Sequence, residues 1–180
     1  MQTYAAAQLY ADRGTVVSAL GGERQTIEFT TAFERPDRFS FSFSFRSTGG
    51  RSAANIAEHR IHADGKLVRL GDPEWRDPPP ASLGSAVARM TGVSFGCAHR
   101  IPRLLIPERI GGRALFEWPE RALREPVDVD GVRHLVIEVG ARSRLARVFV
   151  DEATYVVRRI VDTFDQTFTT DYFAVLTPAR

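Results

Sequence analysis

The chain has 180 residues, 43% of them hydrophobic and 26% charged, which is enough apolar material for one sizeable core and too much for a disordered or low-complexity chain. Its 24 basic residues, all arginine except Lys66, face 22 acids for a net charge of +2, so there is little reason to expect a nucleic-acid partner. The single cysteine, Cys97, excludes an internal disulfide and a multi-cysteine zinc site, and no stretch approaches the ~18 apolar residues of a membrane span.

Met1-Gln2-Thr3-Tyr4-Ala5 lacks a basic region leading into an apolar one, so the expectation is a soluble protein, cytoplasmic or exported with its signal removed. The Ala-rich segment Thr3 to Asp12, ending near Gly14, predicts a short helix. Strand signals follow. Over residues 26–34, Ile27, Phe29, Thr31 and Phe33 share one face against Glu28, Thr30, Ala32 and Glu34. Arg35-Pro36-Asp37 is a turn, and residues 38–46 then alternate strictly, with Phe39, Phe41, Phe43 and Phe45 on one face and Ser40, Ser42 and Ser44 on the other.

Gly49-Gly50 closes that strand, and residues 56–70 read as a hairpin turning at Asp64-Gly65. The middle of the chain differs. Asp77-Pro-Pro-Pro80 stops any strand, and Ser82 to Thr91 predicts a helix N-capped by Ser82, with Leu83, Val87 and Met90 on its buried face and Gly92 at its end. Ile101-Pro102 to Ile106-Pro107 is a proline-bounded apolar run suited to a short helix or turn. Strands then resume: a turn at Asp130-Gly131 into Val132 to Val139, another turn from Gly140 to Ser143, strands at Leu145 to Asp151 and Tyr155 to Phe164, and a last strand from Gln166 to Leu176. Two blocks of strands around a helical insert, with no βαβ alternation, disfavour a parallel sheet and the nucleotide-binding folds built on one.

Burying each of the four phenylalanines is worth about 1.5–3 kcal/mol, so something must cover that face. Two coverings are open: helices packed into an ordinary core, or helices that leave an aromatic-lined cavity. Gly92-Val93-Ser94-Phe95-Gly96 matches the G-x-S-x-G pattern of a nucleophile elbow, and Asp128 or Asp130 with His134 would complete a Ser-Asp-His order. Its context is wrong for an esterase, because a helical segment precedes Ser94 where a buried strand is needed. The four histidines make no metal set: His59 and His62 face opposite sides of one strand, and His99 and His134 are isolated. Cys97 reads as a buried spacer, no phosphate-binding or dinucleotide fingerprint occurs, and Trp75 and Trp118 are candidates for a cavity edge or for plain packing.

Arg35-Pro36-Asp37-Arg38-Phe39 between two strands, then Ala63-Asp64-Gly65-Lys66-Leu67, then Val148-Phe-Val-Asp151 followed by Tyr155-Val-Val-Arg-Arg-Ile160, resembles the outer-membrane lipoprotein carrier family (LolA/LolB-like) over about residues 1–176. Val68-Arg69 replaces the aromatic that commonly follows the Asp-Gly-Lys hairpin, and residues 73–81 are unusually rich in proline. The resemblance implies a mainly β fold with minor α, an incomplete antiparallel β-barrel in one domain spanning 1–180, with a helical lid over 82–106. It implies a periplasmic or cell-envelope protein that holds the acyl chains of lipids or lipoproteins, with no enzyme activity, no cofactor and no metal, and with envelope proteins as further possible partners. By motif, Arg35 would close the lid through bonds to lid backbone, against the plainer role of a turn-surface arginine, and Phe39 would line the cavity. The expected lining is Phe29, Phe33, Phe39, Phe41, Phe43, Phe45 and Phe149 with Leu104 and Leu105 from the lid. The competing expectation is an interaction or sensor domain of the same fold with a filled core.

Overall fold

A computed structural model describes residues 2–20, 23–47, 58–65, 67–71, 79–141, 144–163 and 167–178. Gly49-Gly50, Lys66, Trp75 with most of the proline-rich stretch, Ser143 and Phe164 lie outside these. Ten strands, β1 (Ala7–Leu20), β2 (Glu23–Glu34), β3 (Arg38–Ser47), β4 (His59–Asp64), β5 (Val68–Gly71), β6 (Glu120–Val129), β7 (Val132–Ala141), β8 (Arg144–Asp151), β9 (Val157–Thr163) and β10 (Thr167–Pro178), form one sheet. Its order is β5-β4-β3-β2-β1-β10-β9-β8-β7-β6, and every neighbouring pair is antiparallel. The two ends, β5 and β6, do not pair, so the barrel is incomplete. The fold is mainly β with minor α, as the sequence predicts.

The helices are α1 (Gln2–Ala5), α2 (Leu83–Val93), α3 (Cys97–Arg100) and α4 (Pro102–Leu105), the last three forming an insert between the two five-strand meanders. The expected N-terminal helix stops at Ala5, and Ala7 onward is strand instead. The reason is tertiary. β1 is the seam of the molecule, paired with β2 on one side and β10 on the other, and its alternate residues Tyr10, Asp12, Gly14, Val16 and Ser18 are buried. Ladders on both edges and a period-two buried face outweigh the weak helical preference of a few alanines.

Antiparallel register carries the buried face across the first half. Tyr10 stands opposite Phe33, Gly14 opposite Phe29, Phe33 opposite Phe39 and Phe29 opposite Phe43. Gly14 is where this packing needs a missing side chain: a Cβ there would sit 2.4 Å from Phe29 Cζ. In the second half Asp130 and Gly131, with φ of 52° and 77°, make the two-residue turn joining β6 to β7.

Helix α2 starts as the sequence predicts. Ser82 caps Ser85 N–H and the Ser85 side chain caps Ser82 N–H, a reciprocal box. Leu83, Ala86, Val87 and Met90 are buried. Gly92 does not end the helix; the chain continues to Val93, Ser94 N–H donates to Met90 O, and Gly96 at φ 83° turns the chain into α3.

Candidate ligand-binding site beneath the helical insert

Phe29, Phe33, Phe39, Phe41 and Phe43 are each only 1–3% exposed, and Leu104 and Leu105 of α4 belong to the same core cluster. Their rings interlock. Phe29 lies 6.2 Å from Phe41 and 5.5 Å from Tyr172, Phe41 lies 5.9 Å from Phe43, and His59 stacks on Phe43 at 4.6 Å. The insert therefore packs onto this part of the face as a core. Phe45, at the end of the row, is 36% exposed and meets Phe95 edge-on at 6.3 Å. Phe149 faces the other way. Its neighbours Val148 and Val150 take the buried core positions, and Phe149 sits opposite Val136 and Arg159 on the outer side of the sheet, beside Phe173.

A cleft of about 390 Å³ opens between the insert and the second half of the sheet. Phe95, His99 and Arg100 line it from the insert, Arg113, Leu115 and Trp118 from the segment after α4, and Val139, Ala146 and Asp162 from β7, β8 and β9. The sequence reading placed Trp118 at a possible cavity edge and missed the others. Val139 and Ala146 had the alternation to be found; the segment from 106 to 119 has no periodicity and gave no signal. Hydrogen bonds hold that segment in place: Arg103 Nε donates to Gly112 O at 3.0 Å, and Ala114 N–H donates to Glu117 Oε2 at 2.7 Å.

Two arginines tie the insert down at opposite sides. Arg100 of α3 donates to Asp162 Oδ2 at 2.9 Å and to Thr170 Oγ1 at 3.0 Å, an ion pair whose side chains are 11% and 5% exposed. Arg35, in the turn between β2 and β3, donates Nη2–H to Leu105 O at 2.9 Å and to Ala5 O at 2.5 Å, and Nε–H to Ala7 O at 2.8 Å. One planar guanidinium thus joins the β2–β3 turn, the end of α1 and the end of α4, a use that matches its fork of fixed donors. Its carbon lies 5.2 Å above the Phe33 ring.

Below the insert, at the seam strand, Tyr10 OH donates to Asp12 Oδ2 at 2.6 Å. Burial pushes the Asp12 carboxyl up to about 6, opposed by the hydrogen bonds from Tyr10 and Thr31. Burial likewise raises Tyr4, Tyr10 and Tyr172, and Tyr4 OH accepts Val157 N–H at 2.9 Å. The Cys97 thiol is fully covered and burial pushes it up to about 12, so it stays protonated, an inert spacer.

No Ser-Asp-His arrangement forms. Ser94 is completely buried at the end of α2, where its Oγ accepts Ala98 N–H at 3.2 Å, whereas His134 lies on the outer face with Nδ1 bonded to Val132 O at 2.8 Å. Among the described residues no group of three His, Cys, Asp or Glu could hold a metal ion. His59 faces the core and His62 the solvent, as their spacing predicts. No helix among the described residues is long and apolar enough to cross a membrane.

No family model matches the sequence, and no curated protein is significantly similar to it. Solved structures similar to it include LprF from Mycobacterium bovis, at 6% identity and TM-score 0.49 over 95% of this chain and 88% of that one. MucB matches at 14% identity and TM-score 0.47, over 99% of this chain and 57% of that one. A DUF1329 family protein from Desulfovibrio piger matches at 9% identity and TM-score 0.32, over 94% and 86%. The functional reading rests on the geometry of the site.

Proposed function

We propose that this chain is a binding module of the cell envelope that holds the hydrocarbon chain of a lipid or an acylated protein between its sheet and its helical insert, without catalysis or cofactor. The observation that carries this reading is the cleft of about 390 Å³, whose walls are Phe95, Leu115, Trp118, Val139 and Ala146 and whose size falls within the range of small-ligand sites. Transfer of an alkyl chain from water contributes ~0.8 kcal/mol per buried CH₂, which suits reversible loading. The insert serves as the lid. Its attachment through Arg35 to Leu105 O is the contact that the resemblance to lipoprotein carriers implies, and lifting α2–α4 would extend the cleft onto the phenylalanine face. Phe29, Phe33, Phe39, Phe41, Phe43, Leu104 and Leu105 would then line the open state, with Phe45 near its rim.

Uptake of a fluorescent fatty acid tests this, together with lipid extraction and mass spectrometry of protein purified from a bacterial host. Ala146→Trp, which fills the cleft from β8, should weaken uptake by at least about tenfold while circular dichroism stays strand-like; unchanged uptake would reject the cleft as the site. The tightly filled phenylalanine face favours a second reading, an interaction or sensor domain that carries no cargo. Native mass spectra that stay free of lipid after incubation with fatty acid would select it.

A further inference from the structure

We propose that the cleft selects its ligand by charge: it takes a fatty acid, with Arg113 at its mouth binding the carboxylate and Trp118 bearing on the alkyl chain. This rests on the hydrocarbon-binding reading above and adds the chemistry of the head group.

Among the described residues, one positive charge in the cleft is unmatched. Four ionisable side chains line the cleft: His99, Arg100, Arg113 and Asp162. Asp162 is taken by Arg100 at 2.9 Å, so that pair is neutral overall. His99 Nε2–H donates to Gly111 O at 2.9 Å. Glu117, the acid nearest to Arg113 in the chain, accepts Ala114 N–H and pairs with Arg103 at 3.5 Å. That leaves Arg113, exposed, with its guanidinium 5.0 Å from the centre of the Trp118 ring and no acid bonded to it among the described residues.

Its backbone is anchored in advance: Gly112 O and Ala114 N–H, on either side of it, are bonded to Arg103 and Glu117, and the cation–π contact with Trp118 draws the guanidinium toward the cleft. A fork of donors at a cleft with apolar walls from Phe95, Leu115, Val139 and Ala146 fits a planar carboxylate, which can accept two parallel hydrogen bonds. An ester or an alcohol offers no such charge. The volume, about 390 Å³, lies near the low end for ligand sites and suits one chain better than two or three.

Trp118 itself reports occupancy. The sequence has 2 tryptophans, so in a Trp75→Phe background Trp118 is the sole indole, and 9,10-dibromostearate bound in the cleft quenches it by contact. Titration at pH 8 with the bromo acid and with its methyl ester should give an affinity for the acid at least about tenfold higher. Arg113→Gln should remove that preference by weakening the acid alone, and Arg113→Lys, which keeps the charge without the fork, should retain part of it. Equal binding of acid and ester would overturn the charge selection and leave the hydrocarbon site standing. A preference that survives Arg113→Gln would overturn the assignment of the anchor. Quenching by neither compound would bring down both the selection and the hydrocarbon reading beneath it.

Discussion

Gly14 and Asp12 sit two positions apart on the covered face of β1, and each is unusual there for a different reason. Gly14 leaves room for the Phe29 ring and for Asp171 O, which a Cβ would meet at 2.2 Å. The backbone clash cannot be relieved by a side-chain turn, so Gly14→Ala should cost about 1–3 kcal/mol, read as a lower urea midpoint at unchanged slope. Asp12 is a carboxyl whose folded-state pKa lies at about 6, above its ordinary 3.8, because burial penalises the charge. The sign follows: relative to the unfolded chain, its favourable contribution is whole below the ordinary value and is lost as pH rises through the folded one. Asp12→Asn, which keeps the shape, should therefore gain on the wild type between about pH 4 and pH 7 by on the order of 2 kcal/mol; a constant difference across that range would contradict the assigned environment. The sequence announced neither role. Period-two alternation located the phenylalanines of β2 and β3 because every second residue there is large and apolar. In β1 the same positions hold Tyr10, Asp12, Gly14, Val16 and Ser18, too mixed in polarity to register as a face. Phe149, expected in the lining, is on the outer face instead, because Val148 and Val150 on either side of it take the inner positions.

Among the elements, the insert is held to the first half of the sheet largely by apolar packing, and two arginines tie it further, Arg35 to the β2–β3 turn and Arg100 to β9 and β10. Removing one partner from a buried ion pair leaves the other charge unmatched, which typically costs 3–5 kcal/mol; Arg100→Ala should fall near the lower part of that range, since Arg100 retains 11% exposure. Arg35→Ala removes three bonds to main-chain oxygens at about 0.5–1.5 kcal/mol each. Hydrogen exchange should separate the two, with faster exchange centred on α3 for Arg100→Ala and on α1 and α4 for Arg35→Ala. Equal, molecule-wide acceleration in both would contradict the insert as an independently opening lid. The insert was legible because Ser82 and the spacing of Leu83, Val87 and Met90 are local signals. Strand β6 was not read as a strand: only the turn from Val127 to Gly131 at its end was legible. It is an edge strand, mostly exposed, whose register shifts between Arg124 and Val127 around Pro126, and proline with charge is how an unpaired edge resists adding another chain.

For the molecule as a whole, two meanders meeting at β1 and β10 create a sheet too wide for a three-part insert to cover fully. The first half is closed by phenylalanine; the second keeps a cleft roofed by α3 and the segment after α4. That division could not be read from the chain, because whether a covered face is filled or hollow depends on the volumes of residues far apart in sequence. Photolabelling with a diazirine fatty acid, followed by peptide mass spectrometry, tests the central claim most directly. Adducts should concentrate on Phe95, Leu115, Trp118 and Val139 and be suppressed by excess unlabelled fatty acid. Adducts confined to the outer face around Phe149 and Phe173, or labelling that excess fatty acid does not suppress, would contradict it.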